Sequence, residues 1–199
     1  MKNWKVNWNQ IVHFSKFKNG YEGLLNHHGI YLFVYPTKNG CQIYYVGKTN
    51  NFNKRIQEHY KRYINATYWL PSKIEYFDDD IYKIHRLKSK DEYLKYYSRP
   101  DGSKSLKKVG EYIVNKTLII LSNVDEEPDC VNLALIESLI IMGIQKKCNL
   151  PVMGWMGDSA LKFTSDNVSV TNNFDSKEIK DILSLSLPEK IIYQLSIRN

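Results

Sequence analysis

Two short stretches of the chain are almost continuously apolar or aromatic: GIYLFVYP at residues 29–36 and CQIYYVGKT at residues 41–49. Their β-branched and aromatic content, with TKNG between them, predicts a hairpin over about residues 29–49. The period then changes. Across residues 51–63, Ile56 and Tyr60 are available for packing while Arg55, His59 and Arg62 share another face, which predicts an amphipathic helix. A further strand is expected at residues 117–122. It leads into an apolar helix that ends near Gly143, with Pro128 suited to the first turn. The intervening residues 64–116 read as irregular and basic. Within them Ser89-x-x-Glu92 forms a capping box for a short helix through Tyr97, and Arg99-Pro100-Asp101-Gly102 is a turn signal. Trp4, Trp8 and Ile11 recur at helical spacing, as a stripe that packs on the domain. Residues 152–199 hold a polar Asn/Ser/Thr-rich link and then a helix near residues 176–185.

This pattern divides the chain into an amino-terminal extension (1–28), a core (29–150) with an insertion at about 64–116, and a carboxyl-terminal extension (151–199). The longest apolar run, residues 133–144, is broken by Glu137 and Ser138 and falls short of the ~20 residues that span a bilayer. The first ten residues lack the apolar segment of a signal peptide. Cys41, Cys130 and Cys148 form no CxxC pair, so neither a disulfide framework nor a zinc site is expected. His27-His28 lacks a spaced partner set and reads as surface. The expectation is a soluble, cytoplasmic protein with no membrane partner.

Charge changes the picture more than composition does. Residues 1–116 carry 21 basic against 10 acidic side chains, whereas residues 117–199 carry 7 against 11. A polyanion would favour the first part, where many of the 15 tyrosines are interleaved with lysine and arginine.

Several residues could carry chemistry. Tyr31 and Tyr45 lie on the paired strands, and the register decides whether they share a face. A two-residue Asn39-Gly40 turn would put them on opposite faces. A three-residue loop pairing Thr37 with Cys41 would set Tyr31 opposite Gly47 and Phe33 opposite Tyr45, leaving the phenols as diagonal neighbours. Arg55 and His59, four residues apart, form a cationic stripe that can serve as a phosphate clamp. Glu137 stands among Leu133, Ala134, Ile140 and Ile141, where a carboxylate needs a partner: a lysine, or a divalent cation. Asn149 is a helix-end amide that can cap or donate to a phosphate.

The order of Gly29-Ile30-Tyr31, Tyr45-Val46-Gly47, Arg55, His59, Glu137 and Asn149 resembles the GIY-YIG nuclease family, with YVG in the YIG slot. The resemblance implies an α+β fold: a small three-stranded antiparallel sheet flanked by helices, drawn from about residues 29–63 and 117–150. It implies a catalytic set of Tyr31, Tyr45, Arg55, His59, Glu137 and Asn149, with Glu137 holding one Mg2+ or Mn2+. It further implies hydrolysis of double-stranded DNA, most like a restriction endonuclease. A mobile-element or repair nuclease and a catalytically silent nucleic-acid-binding module are the alternatives. Tyr31 or His59 would take the proton from water, and a lowered Tyr31 pKa would need a cation such as Arg55 or Lys48. Lys48, Arg62, Lys104, Lys107 and Lys108 are the expected DNA contacts, and a homodimer would match a palindromic target.

Overall fold

The computed structural model describes residues 2–25, 27–37, 40–68, 73–77, 80–85, 90–125, 130–148 and 167–194. Along the chain run β1 (Lys2–His13), β2 (Gly29–Thr37), β3 (Gly40–Thr49), α1 (Phe52–Ile64), β4 (Lys73–Phe77) and β5 (Asp80–His85). They are followed by α2 (Lys90–Tyr97), α3 (Pro100–Lys116), β6 (Leu118–Val124), α4 (Cys130–Cys148), β7 (Val168–Phe174), α5 (Lys177–Leu183) and β8 (Lys190–Tyr193).

The main sheet has six strands in the order β3-β2-β6-β1-β7-β8. Its neighbours are antiparallel except β1 and β7, which run parallel, so the sheet is mixed. This corrects the expected small three-stranded antiparallel sheet: β3, β2 and β6 are only half of the sheet that forms. The other half comes from the segments read as extensions. In β1, Trp4, Val6 and Trp8 are all buried on one face, a period of two. A bulge between Trp8 and Gln10 then shifts the alternation by one residue. Ile11 packs on the same face as the tryptophans, and Val12 turns to the other. The Trp4, Trp8, Ile11 spacing that imitates a helix is a strand with a bulge in it.

The polar link is likewise a strand. Val168 and Val170 are buried and next in their row comes Asn172, 4% exposed. Both polar atoms of its amide are bonded: Trp8 Nε1 donates to Oδ1 (3.0 Å), and Nδ2 donates to the Pro188 carbonyl (2.7 Å). An asparagine satisfied in this way can occupy a core row without an unpaired polar atom. The helix expected near residues 176–185 forms as α5, with the Ser176 side chain accepting from the Ile179 amide.

The insertion is regular where it is described. β4 and β5 pair as a separate hairpin, and α2 ends at Tyr97 as expected, although its Ser89 cap lies outside the described residues. The Arg99–Gly102 turn is instead the start of α3. Pro100 sits in its first turn, where the ring's fixed φ suits a helix and its missing N–H costs no bond. Gly102, Leu106, Gly110 and Val114 recur every four residues as the buried stripe of α3, and the helix packs against α1.

The sheet separates two apolar layers. Ile30, Leu32, Val34, Val46 and Ile120 face α4 and α5, together with Ile136, Leu139, Ile140, Ile179 and Leu183. Tyr31, Phe33, Ile119 and Leu121 face the other way, onto Phe52 and Ile56 of α1 and the Phe14–Phe17 turn. No helix among the described residues is long and apolar enough to cross a membrane.

Candidate functional site

The site begins with the register of the hairpin. Thr37 pairs with Gly40, Val34 with Ile43, Phe33 with Tyr45 and Tyr31 with Gly47. The Phe33–Tyr45 and Tyr31–Gly47 pairs are those expected of the three-residue loop, but that loop does not produce them, since Thr37 pairs with Gly40 rather than with Cys41. The shift is made within β3, where Tyr44 is an extra residue between Ile43 and Tyr45. Ile43 therefore faces α4 while Tyr45 joins Tyr31 on the α1 side. The bulged residue is itself anchored: the Tyr44 hydroxyl lies 2.9 Å from Thr117 Oγ1, where α3 gives way to β6. Burial pushes the Tyr44 phenol above its ordinary range.

On that face the Tyr31 and Tyr45 rings lie 6.0 Å apart, and each approaches His59 of α1, at 5.8 Å and 5.2 Å. The Tyr31 phenol crosses Gly47, where a side chain would collide with it. Gly29 answers a different need. Its φ of +141° is a conformation that L side chains rarely adopt, and a Cβ there would strike the Ser122 carbonyl. Helix α1 starts where the sequence indicates, with the Asn51 side chain accepting from the Lys54 amide (2.9 Å). Its buried side presents Phe52, Ile56 and His59 to the sheet.

His59 is 2% exposed and bonded at both ring nitrogens. The Tyr31 hydroxyl lies 2.7 Å from Nε2, and the Tyr68 hydroxyl is hydrogen-bonded to Nδ1. Burial, reinforced by the positive charges of Arg55 and Arg62, lowers the His59 pKa to about 3. The ring is neutral near pH 7, so one nitrogen donates and the other accepts. Tyr31 is fully buried, and this raises its pKa well above the ordinary value; Tyr45 adds to the rise and Arg55 opposes it. The cation that a Tyr31 base would need is present as Arg55 and acts in the required direction, but desolvation of the phenolate outweighs it. Burial acts to lower the Arg55 pKa, but the Tyr31 and Tyr45 oxygens and Glu58 outweigh it and leave it raised. Arg55 Nη1 also donates to Glu58 Oε2 (3.2 Å).

Protonation of His59 favours the unfolded chain between its folded pKa of about 3 and the ordinary 6.5, so its contribution to stability falls as pH drops below about 6.5. His59→Gln retains a donor and an acceptor without titrating. Urea unfolding of both proteins at pH 7 and pH 4.5 is expected to show the wild type losing about 2 to 3 kcal/mol more than the variant. Equal losses would mean that His59 titrates normally.

Tyr68 is the residue that the sequence did not reveal. Helix α1 closes with Ala66 at φ +53°, the Ala66 amide donating to Tyr63 (3.1 Å) and the Thr67 amide to Arg62 (2.9 Å). This is a Schellman closure with alanine in the place glycine usually takes. It turns the chain back so that the Tyr68 ring stacks on His59 at 5.6 Å and 25°, with the Arg62 guanidinium 5.5 Å from its centroid. An aromatic just beyond a helix end carries no periodicity, so only the fold could assign it to this cluster.

Glu137 projects from α4 and accepts a 2.7 Å bond from Lys48 Nζ. Lys48 follows Gly47 on β3, the edge strand, so the partner of Glu137 lies one residue along from the glycine that the Tyr31 phenol crosses. The lysine partner anticipated for Glu137 is therefore present. A magnesium ion that takes one carboxylate and keeps several waters fits Glu137, provided that it shares the carboxylate with Lys48 or displaces the ammonium. Among the described residues no three His, Cys, Asp or Glu side chains are grouped as a metal cage. Asn149 lies outside the described residues. Lys104, Lys107, Lys108 and Arg62 are exposed, the three lysines on the outer side of α3. No family model, curated protein or solved structure matches the chain.

Proposed function

We propose that the chain is a metal-dependent endonuclease of GIY-YIG type, hydrolysing phosphodiester bonds of double-stranded DNA in the cytoplasm, most like a restriction enzyme. The observation that carries this reading is the pairing of Tyr31 with Gly47, which gathers Tyr31, Tyr45, Arg55 and His59 into one cluster. A phosphate entering beside Arg55 would meet a planar, permanently charged donor able to hold two oxygens and stabilise the charge that grows at pentacovalent phosphorus. Tyr45, partly exposed, would orient the phosphate or the attacking water, and Tyr31 would receive the water's proton. Glu137 would hold magnesium, which when bound supplies charge neutralisation at the phosphate. Lys104, Lys107 and Lys108 form a basic row on the helix that packs beside α1, suited to sequence-independent phosphate contacts. A homodimer would suit a palindromic target.

One observation favours a second reading, a DNA-binding module without catalysis: the Glu137 carboxylate already has Lys48 as its partner. Incubation of the purified protein with plasmid, with and without magnesium, separates the two. The nuclease reading expects magnesium-dependent nicking or linearisation that Glu137→Gln abolishes while leaving DNA affinity largely intact. DNA binding with no cleavage at any magnesium concentration supports the silent module. Full activity in Glu137→Gln refutes its role as the metal ligand.

A further inference from the structure

We propose that Tyr68 is a positioning residue that gives the proton leaving Tyr31 a way out to solvent through His59. The inference rests on the hydrolytic reading above. Its geometry is a chain of three groups: Tyr31 hydroxyl to His59 Nε2 at 2.7 Å, then His59 Nδ1 to the Tyr68 hydroxyl. Tyr31 at the inner end is fully buried in the DNA-free protein, whereas Tyr68 at the outer end is partly exposed beneath the exposed Arg62.

The need for an outlet follows from the surroundings of His59. Arg55 and Arg62 of its own helix, Tyr31 and Tyr45 of the sheet, and Tyr68 from beyond the helix end face it or act on it. Among the described residues the charged groups that set its protonation are both cations. An imidazolium formed there by simple proton capture would be buried and repelled. A through-ring transfer avoids it. The Tyr31 O–H bond breaks as Nε2–H forms, the proton already on Nδ1 passes to the Tyr68 oxygen, and Tyr68 releases its own hydroxyl proton to water. His59 ends as the other neutral tautomer, and Tyr68 remains a phenol. Tyr31 becomes a phenolate beside the Arg55 guanidinium, able to accept a proton from the attacking water. The reverse run, with a proton entering from water at Tyr68, restores the tautomer while Tyr31 protonates the departing oxygen.

Tyr68→Phe keeps the ring over His59 and under Arg62 and removes only the oxygen. Two measurements test it. In the DNA-free protein, NMR exchange of the Tyr31 hydroxyl proton with solvent is expected to slow at least about tenfold in the variant, because the outlet is gone. His59→Gln, which keeps the hydrogen bonds but has no second tautomer, is expected to slow it too. Unchanged or faster exchange in Tyr68→Phe overturns the proposal, since loosened packing alone would speed exchange. With plasmid and magnesium, single-turnover cleavage by Tyr68→Phe is expected to fall about 10- to 100-fold with unchanged DNA affinity, and wild-type cleavage would also overturn it. Should the wild-type protein not cleave at all, the nuclease reading fails while the exchange measurement still judges the relay.

Discussion

Alanine at Gly47 is expected to lower the stability of the protein by about 3 kcal/mol or more and to abolish any activity of the tyrosine cluster. The added methyl would lie 2.5 Å from the Tyr31 hydroxyl and 2.8 Å from Tyr45 Cε1, closer than real Cβ contacts come. Neither ring can yield freely. Tyr31 is enclosed by Phe33, Phe52 and His59, and Tyr45 by Phe33 and His59. The phenol must swing off Gly47, which breaks its bond to His59, or the two strands must part. Thermal or urea unfolding measures the loss, and the His59 ring resonances report whether the Tyr31 bond survives. A variant with wild-type stability and an intact Tyr31–His59 bond would show that the crossing of phenol over Gly47 is wrong.

Tyr31→Phe is expected to reduce cleavage by two to four orders of magnitude, on the scale of a lost general base. The sequence alone places Tyr31 near a strand end and leads to an expectation of little change in stability. The structure alters that expectation. The hydroxyl is the partner of a His59 nitrogen with no access to water, so its removal should also cost about 1 to 3 kcal/mol. The paired result, slow chemistry with a modest loss of stability and unchanged DNA affinity, distinguishes a proton-transfer group from a packing residue. Wild-type turnover in Tyr31→Phe would remove the phenol from the reaction.

What the sequence made legible was the local chemistry of element ends and the strong periods. The helices opening near residues 51 and 176 and the hairpin tyrosines could be read because a helical period or a β-rich run acts over a few residues. Two single-residue bulges defeated the rest of the strand reading. The one after Trp8 made a strand imitate a helix, and the one at Tyr44 set the phenols on one face by a route that loop length could not predict. Pro100 was ambiguous in principle, since the same φ serves a turn and a first helical position. Asn172 looked like linker because its hydrogen bonds come from Trp8 and Pro188, neither adjacent in sequence. Within the candidate site, the residue types of the cluster were visible, but Tyr68 and the Lys48–Glu137 pairing depend on tertiary approach that no spacing encodes.

The position of β1 has a consequence for synthesis. Of the strands in the six-stranded sheet, β1 is made first, yet it is an interior strand held between β6 and β7. Its antiparallel partner begins at Leu118 and its parallel partner at Val168, which pairs with Lys2. At usual elongation rates the wait for that second neighbour is on the order of ten seconds or more. Throughout it, a strand carrying Trp4, Val6 and Trp8 has at least one open hydrogen-bonding edge and an apolar face with nothing to cover it. Pairings so distant in sequence also slow the search for the native sheet once the chain is complete. The sheet is therefore most exposed to aggregation at β1 during synthesis, and it is residues 168–174 that end the exposure.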